Sequence, residues 1–223
     1  MKAVAIDGPA GAGKSTIARR AAQALGFIYV DTGALYRAIG YYMAGQGVDT
    51  ANEGEVVPLL SGVSVELKFV DGVQHVFLNG EDVSEKIRTP EMSMHASNVS
   101  AILPVRDFLF DLQRDIAARS NVVMDGRDIG TEVLPNADVK IFLTAAPEDR
   151  ARRRYEEHLA KGEQVEYDRI LADVRQRDYN DSHRAVRPLR QAEDAILLDT
   201  TGNELEQSVR LVIETIRQHL GNG

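Results

Sequence analysis

A glycine-rich segment near the start of the chain constrains the fold more than any other feature. It follows a short apolar run, residues 3–6, and it matches the pattern G-x-x-x-x-G-K-[ST] in full. In this pattern the glycines let backbone N–H groups point inward and surround the phosphates of a nucleoside triphosphate, ATP or GTP. Residues 16–25 read as a helix ended by Gly26, and the positive N-terminal end of that helix would face the same phosphates. The predicted nucleotide-binding loop consists of Gly8, Pro9, Ala10, Gly11, Ala12, Gly13, Lys14, Ser15 and Thr16.

Two side chains of this loop and two acids outside it are candidates for chemistry. Lys14 supplies a positive charge for the β- and γ-phosphates, and the Ser15 hydroxyl is placed to ligate Mg²⁺. Asp125 directly follows the apolar run 122–124. The acid that holds Mg²⁺ in many P-loop proteins also stands at the end of an apolar strand. An ordinary turn or cap aspartate is the alternative. Asp7, directly before the loop, is a further candidate for the water shell of the metal.

Five short apolar runs predict a parallel sheet. Each run is continuous rather than alternating, as in strands covered on both faces, and each is followed by polar residues, where open α/β sheets bind ligands. Helical stretches separate the runs, so we expect an α/β fold with a P-loop core, in which a five-stranded parallel sheet is flanked by helices. The runs are residues 3–6, 27–30, 122–124, 139–143 and 195–198.

One segment does not follow this succession of continuous apolar runs and helical stretches. Residues 63–69 alternate strictly between apolar and polar side chains, and residues 73–78 follow after an Asp-Gly pair at 71–72. This pattern indicates a small antiparallel hairpin inserted outside the parallel sheet, with room for a third short strand after the Asn-Gly pair at 79–80.

Helix starts are marked by three further signals. Pro90 and Pro147 each fit the first position of a helix, where the missing N–H of proline is not needed. Thr201 and Glu204 have the spacing of a capping box before an amphipathic C-terminal helix.

Composition excludes several classes of function. The chain has 223 residues, which suits one domain, and it has no cysteine, so disulfides, thiolate metal sites and cysteine nucleophiles are excluded. No apolar run approaches the ~18 residues of a transmembrane helix, and nothing at the N-terminus resembles a signal peptide. The net charge of −8 disfavours nucleic acid as a partner, whereas the arginines crowded between residues 150 and 190 suit a small anionic ligand. We expect a cytoplasmic monomer with no nucleic-acid or membrane partner.

Three further motifs narrow the class. They are Asp-Thr-Gly-Ala-Leu-Tyr-Arg at 31–37, Asp-Gly-Arg-Asp-Ile-Gly at 125–130 and Arg-Asp-Tyr-Asn-Asp-Ser-His-Arg at 177–184. Together with Ile-Asp-Gly-Pro at 6–9, they closely resemble the bacterial cytidylate kinase family, and the resemblance runs over essentially the whole chain, hairpin included. The chain departs from the family pattern at Ala10 and Thr32, where serine is expected. Both changes are small, because the loop binds phosphate through its backbone and threonine keeps a hydroxyl.

The resemblance implies an enzyme that transfers a phosphoryl group from ATP to CMP or dCMP in pyrimidine nucleotide metabolism, with Mg²⁺ as cofactor. It also implies a core of about residues 1–31, 99–149 and 185–223. A monophosphate-binding part with the hairpin insert would cover about 32–98, and a mobile helical lid about 150–184.

The acceptor of such a reaction is itself a dianion, so several arginines are expected around it. Arg37, Arg127 and Arg184 are the candidates for its phosphate, an ordinary surface arginine being the alternative for Arg37. Arg153 or Arg154 would swing in with the lid and neutralise the transferring phosphoryl group. A solvated, salt-bridged helix is the alternative for these two.

By resemblance, Asp128, Arg106 and Ser97 would form the pocket for cytosine, with Thr32 nearby. The carboxylate would accept from the amino group of cytosine, and an arginine would donate to N3 or O2. The competing interpretation is that Asp128 only orients Arg127 or Arg106.

The resemblance assigns Arg177 and Asp181 to the ribose hydroxyls, although their i, i+4 spacing also fits a helical salt bridge. The predicted CMP site is therefore Thr32, Arg37, Ser97, Arg106, Arg127, Asp128, Arg177, Asp181 and Arg184.

Two alternatives remain open for the function. One is a P-loop kinase for another small acceptor, such as UMP, AMP or a shikimate-like compound, which the Asp-Gly-Arg-Asp motif and the hairpin disfavour. The other is a nucleotide-binding module without turnover, which would lack the arginines for an acceptor phosphate or carry a long basic surface.

Overall fold

The computed structural model describes residues 1–70 and 72–221. A π-helical turn, Ile129–Val133, follows β6. The helices and strands, in chain order, are β1 (Ala3–Asp7), α1 (Lys14–Leu25), β2 (Ile28–Asp31), α2 (Thr32–Gly45), α3 (Glu53–Leu59), β3 (Val65–Val70), β4 (Val73–Leu78), β5 (Glu81–Asp82), α4 (Pro90–Ser100), α5 (Leu103–Arg119), β6 (Val122–Gly126), β7 (Val139–Thr144), α6 (Pro147–Ala160), α7 (Tyr167–His183), β8 (Ile196–Asp199) and α8 (Leu205–Leu220).

The five predicted strands form one parallel sheet in the order β2-β6-β1-β7-β8, which confirms the α/β prediction. Alternate residues of a strand face opposite sides, so both faces need apolar cover. In β1, Val4 and Ile6 join the core beneath α1 and α8, whereas Ala5 joins a second core with residues of α5 and the π-helical turn. The apolar runs of the three inner strands β6, β1 and β7 follow from this double burial, whereas Leu197 of the edge strand β8 is 54% exposed.

The register of the sheet brings polar residues together at one edge. Asp31 pairs with Asp125 across β2 and β6, and Asp7 pairs with Gly126 across β1 and β6. Asp31, Gly126 and Asp7 are the last residues of their strands and Asp125 is the last but one, so the carboxyl ends of three neighbouring strands meet beside the glycine-rich loop.

The hairpin insert is also confirmed, including its third strand. β3, β4 and β5 form a separate antiparallel sheet. Asp71, predicted to form the first turn with Gly72, lies outside the described residues; Gly72 has the positive φ of such a turn, 77°. Val76 and Leu78 are buried in a third apolar cluster with residues of α2, α4 and α5, which fixes the insert against these helices.

Two of the three predicted helix starts are confirmed, and one is wrong. Pro90 and Pro147 do open α4 and α6. The predicted capping box at α8 is wrong, because Glu204 is the N-cap and makes no capping hydrogen bond. The Thr201 hydroxyl instead donates to Asp199 over 2.6 Å and accepts the N–H of Ala146 over 2.8 Å. It therefore joins the segments that leave β7 and β8.

Among the helices described, none is both long and apolar enough to cross a bilayer.

Candidate active site

A cavity of about 760 Å³ opens where the polar strand ends meet. Gly8, Pro9 and Ala12 belong to the glycine-rich loop but do not line it. The residues predicted from the sequence that line it are Ala10, Gly11, Gly13, Lys14, Ser15, Thr16, Thr32, Arg37, Ser97, Arg106, Asp125, Arg127, Asp128, Arg153, Arg154, Arg177, Asp181 and Arg184.

The loop itself has the backbone that phosphate binding requires. Gly13 has a φ of 80° and directly precedes α1. Gly8 is required for another reason, since a Cβ there would lie 1.9 Å from the carbonyl oxygen of Leu143 on β7. The Lys14 ammonium is buried and donates to the Pro9 carbonyl over 2.8 Å. Burial, and then the nearby charge of Arg127, lower the pKa of Lys14 to about 7.

Asp125 is held at both carboxylate oxygens. Oδ2 accepts from the Ser15 hydroxyl over 3.0 Å, and Oδ1 accepts from the Tyr29 hydroxyl over 2.8 Å. Burial, and then the charge of Asp31, raise the pKa of Asp125 to about 6. Burial, and then the charge of Asp125, raise the pKa of Tyr29 well above its usual value, so this hydroxyl stays protonated as the donor.

The oxygen atoms of Ser15 and Asp125 are suitable ligands for magnesium. A hydroxyl and one carboxylate are hard oxygen ligands, and Mg²⁺ in phosphoryl-transfer sites keeps most of its coordination for water and substrate phosphates. The described residues contain no cluster of three or more His, Cys, Asp or Glu side chains arranged to hold a metal, which agrees with such a sparse site. Ser15 and Asp125 would hold the ion.

Asp7 is placed differently from its predicted role. Its carboxylate accepts the backbone N–H groups of Ile129 and Gly130 over 2.8 and 2.7 Å. Burial raises the pKa of Asp7 to about 6, although these two hydrogen bonds oppose the shift. With both oxygens engaged, Asp7 fixes the segment that carries Arg127 and Asp128 rather than joining the water shell of a metal.

The side chain of Arg37 is 18% exposed and lines the cavity. Its Nη2 donates to Asp31 Oδ2 over 2.8 Å, while its buried Nε has no hydrogen-bond partner among the described residues. The same Asp31 oxygen accepts from Arg88 of the insert segment over 3.2 Å. Gln74 on β4 pairs its side-chain amide with the backbone N–H and carbonyl of Asp31. The insert therefore contacts the residue that holds Arg37.

Arg127, and Arg177 on α7, line the same cavity as Arg37. Arg127 Nε donates to Asp181 over 2.8 Å, so the helical pair of Arg177 with Asp181 does not form. Burial, and then the charge of Arg127, lower the pKa of Arg177 to about 10, and its buried Nε has no partner among the described residues. Burial alone would raise the pKa of Asp181, but the charge and hydrogen bond of Arg127 bring it below its usual value. These groups form a strongly positive cluster.

At the other end of the cavity, Arg106 and Asp128 form an almost fully buried ion pair. Arg106 also donates to the Ser100 carbonyl over 2.9 Å, and its Nε is buried without a partner among the described residues. Arg184, which the sequence groups with Arg37 and Arg127, lies here instead, 4.0 Å from Asp128 Oδ1. The structure thus supports the interpretation that Asp128 orients Arg106, while its second oxygen faces Arg184.

Ser97 and Thr32 differ in whether their hydroxyl groups are available to a ligand in the cavity. Ser97 lines the cavity on α4. The Thr32 hydroxyl donates to the backbone carbonyl of Asp125 over 2.8 Å, and the residue is 3% exposed, so its proton is already engaged.

The lid arginines have different surroundings. Arg153 donates to the Thr200 carbonyl over 2.9 Å and to Asp149 over 3.2 Å. Arg154 has no hydrogen bond or ion pair to any described residue, and its Cδ lies 3.8 Å from where a Cβ on Gly11 would be. Arg154 is therefore the unpaired guanidinium above the loop.

Sequence reasoning missed a buried link between lid and loop. Arg150 is 2% exposed and donates to the Ala10 carbonyl and to Asp178 on α7. The sequence shows it only as one of the arginines crowded between residues 150 and 190. Its position three residues after Pro147, in the first turn of α6 beside the loop, was the available signal.

A phosphate-binding loop at the carboxyl edge of a parallel sheet, facing a cluster of arginines under a helical lid, defines a P-loop kinase of small acceptors. A model of the family described as cytidylate kinase matches residues 4–218. The chain is 50% identical to a cytidylate kinase from Caldicellulosiruptor bescii over 211 residues, 95% of this chain and 93% of that protein. It is also 50% identical to one from Carboxydothermus hydrogenoformans over 213 residues, 96% of each. The chain belongs to the cytidylate kinase family.

A solved structure, that of an uncharacterized protein from Eubacterium ventriosum, resembles the fold with a TM-score of 0.55 at 12% identity. It covers 97% of this chain and 98% of its own, and at this identity the likeness concerns the fold alone.

Proposed function

We propose that this protein transfers the γ-phosphoryl group of ATP to CMP and dCMP, with Mg²⁺, in pyrimidine nucleotide metabolism. The observation that carries the proposal is the set of groups that line one cavity. The phosphate-binding loop, the arginines Arg37, Arg127 and Arg177, and the buried Arg106–Asp128 pair all line it. A nucleoside triphosphate and a nucleoside monophosphate together supply the phosphates and the base that these groups can bind.

The donor end binds ATP through the loop amides and Lys14, which would move from the Pro9 carbonyl to the β- and γ-phosphates. Magnesium, held by Ser15 and Asp125, neutralises charge on those phosphates when it is bound. The protein contributes positioning and positive charge, because phosphoryl transfer needs little covalent help.

The acceptor phosphate binds Arg37 and Arg127, with Arg177 beside them. The unpartnered Nε atoms of Arg37 and Arg177 support this, since a buried guanidinium N–H without an acceptor is unfavourable until an anion supplies one. Arg184 is reassigned from the phosphate to the base, on account of its place beside Asp128. The ribose stays assigned to Arg177 and Asp181 by resemblance to the family.

The base end distinguishes cytosine through complementary hydrogen bonding. The Asp128 oxygen that faces Arg184 accepts from the amino group, and Arg106 or Arg184 donates to N3 or O2. The Arg106 Nε is free for this, and Ser97 lines the same end.

Residues 32–98 and 150–184 are the parts that close over the substrates. α6 and α7 pack on each other through a small apolar cluster of their own, which suits a lid that moves as a unit. One chain supplies every residue assigned above, which favours a monomer. The proposal also includes a cytoplasmic location.

A coupled assay of ADP release tests the proposal against its alternatives. CMP, dCMP, UMP, AMP and shikimate are compared as acceptors with ATP and Mg²⁺. The proposal requires the highest kcat/KM with CMP and dCMP. Preference for another acceptor would replace it with a different P-loop kinase, and tight ATP binding without turnover of any acceptor would make the protein a nucleotide-binding module.

An Arg37→Met variant should raise the KM for CMP while the affinity for ATP is kept. A charge-assisted hydrogen bond contributes about 1.5–3 kcal/mol, so a loss of roughly 10- to 150-fold in kcat/KM for CMP is expected. Arg119→Met, at an exposed arginine of α5, is the matched control and should change neither constant. Unchanged CMP kinetics in Arg37→Met would remove Arg37 from the acceptor site.

Asp128→Asn should reduce kcat/KM for CMP about tenfold and narrow the gap between CMP and UMP. An amide can donate to uracil O4, which a carboxylate repels, whereas the amino group of cytosine loses its acceptor. The measurement is the ratio of kcat/KM for the two acceptors, with thermal unfolding recorded because Arg106 loses its buried partner. A parallel loss with an unmoved ratio would show that Asp128 only holds Arg106 in place.

A further inference from the structure

Tyr29 is a polar group of the site that the phosphoryl transfer described above does not use. It is the second residue of β2, in a run that reads from the sequence as an apolar strand. Its hydroxyl nevertheless reaches the Asp125 carboxylate, 96 positions further along the chain, over 2.8 Å. The hydroxyl of Ser15 reaches the other oxygen of the same carboxylate over 3.0 Å.

The direction of these hydrogen bonds matters for Ser15. A serine hydroxyl has one proton and two lone pairs. Because its proton is given to Asp125, the lone pairs of the Ser15 oxygen remain for another partner, and Ser15 lines the cavity. The orientation of the serine oxygen therefore depends on the rotation of the Asp125 carboxylate.

That rotation is fixed by Tyr29. A carboxylate that accepted only from Ser15 could turn about its terminal bond, because this torsion has a broad minimum. A second donor on the opposite oxygen removes the freedom. Partners of this kind, one step beyond the ligands, orient metal ligands in many metal sites.

We propose that Tyr29 is a positioning residue for magnesium: it holds the Asp125 carboxylate in the rotation that keeps the Ser15 oxygen turned as a ligand. The inference rests on the Mg²⁺·ATP chemistry of the proposed function, but it does not depend on which acceptor is phosphorylated.

The variant Tyr29→Phe separates this role from packing. The ring of Tyr29 packs against the core beneath α1 and α8, and the Arg19 guanidinium lies 5.9 Å from its centroid. Phenylalanine keeps both contacts and removes only the hydroxyl. Tyr42→Phe is the matched control, because Tyr42 packs against the apolar cluster of the insert and does not line the cavity.

Calorimetric binding of an ATP analogue with an imido group between the β- and γ-phosphates provides a readout that is independent of turnover. Each protein is titrated once with excess Mg²⁺ and once with EDTA. For Tyr29→Phe we expect a metal-free affinity within about twofold of the wild type. The gain in affinity that Mg²⁺ provides should shrink about tenfold, at the lower end of the 10–100-fold effect of removing such a partner. The Mg²⁺ concentration for half-maximal rate should rise in parallel, and Tyr42→Phe should match the wild type.

Two results would overturn the proposal. An unchanged Mg²⁺-dependent gain would show that the Tyr29 hydroxyl does not act on the metal site. An equal loss with and without Mg²⁺ would show that Tyr29 supports the loop as a whole.

A double-mutant cycle with Ser15→Ala tests the route. In that background Tyr29→Phe should cause a smaller loss of the Mg²⁺-dependent gain than in the wild type, because only its effect on Asp125 itself remains. An equal loss in both backgrounds would refute the relay through Ser15. If the acceptor panel instead excluded CMP while these Mg²⁺ effects persisted, only the proposed acceptor would fall.

Discussion

A Lys14→Met variant is expected to lose at least about 100-fold in kcat and yet to unfold at a higher temperature than the wild type. The loss follows from removing a positive charge that meets the β- and γ-phosphates as negative charge develops, for which ~10²–10³-fold is the usual effect of one donor. The rise in Tm follows from the burial of the ammonium, whose hydrogen-bond partner among the described residues is the Pro9 carbonyl. Methionine has a similar length without the cost of burying charge.

The gain in stability of Lys14→Met over the wild type should decrease as the pH rises. Burial lowers the pKa of Lys14 from 10.5 to about 7 in the folded chain, so the unfolded chain binds the proton more tightly between these values. The stability of the wild type therefore rises with pH across this range, and the advantage of Lys14→Met should shrink as the pH rises from 7 to 10. Scanning calorimetry at several pH values measures this, with the exposed Lys161→Met as control. A folded Lys14→Met variant with full activity would refute the donor site.

An Arg154→Met variant should lose about 10³-fold in kcat, the lower end of what an arginine contributes to a transferring phosphoryl group. Arg154 lies against the loop at Gly11 and is free of partners among the described residues, so its guanidinium can reach the γ-phosphate when the lid closes. Arg153 is already engaged by the Thr200 carbonyl and Asp149. Arg153→Met should therefore affect stability and the fit of the lid more than the transfer step.

The two lid variants serve as controls for each other, because they remove the same group one residue apart. Single-turnover rates at saturating ATP and CMP separate the transfer step from lid opening and product release. A larger loss in Arg153→Met than in Arg154→Met would reverse the assignment.

The sheet and the loop were predictable because their signals are local. The apolar runs of the inner strands report burial on both faces, and the loop motif dictates its own backbone, whatever the rest of the chain does. The capping box at α8 was predicted wrongly because Thr201 had a competing partner in Asp199, which the spacing to Glu204 cannot reveal.

Side-chain partnerships between distant segments could not be predicted. Tyr29 reads as one residue of a strand until β2 and β6 are placed side by side. The contact of Arg150 with the Ala10 carbonyl joins residues 140 positions apart. The 4.0 Å approach of Arg184 to Asp128 could not be predicted either, because residue type alone does not tell which carboxylate an arginine lies beside.

Two arginines of the site have counter-ions within the chain itself. Asp31 pairs with Arg37, and Asp181 pairs with Arg127. An incoming dianion would compete with these carboxylates for the two guanidinium groups, so part of the attraction of the positive cluster is offset and ground-state affinity stays moderate. Moderate affinity speeds the departure of a diphosphate product that carries more charge than the substrate did. Uncharged cytidine offers nothing to exchange with either carboxylate, so we expect the protein to distinguish nucleotide from nucleoside by ion exchange rather than by shape.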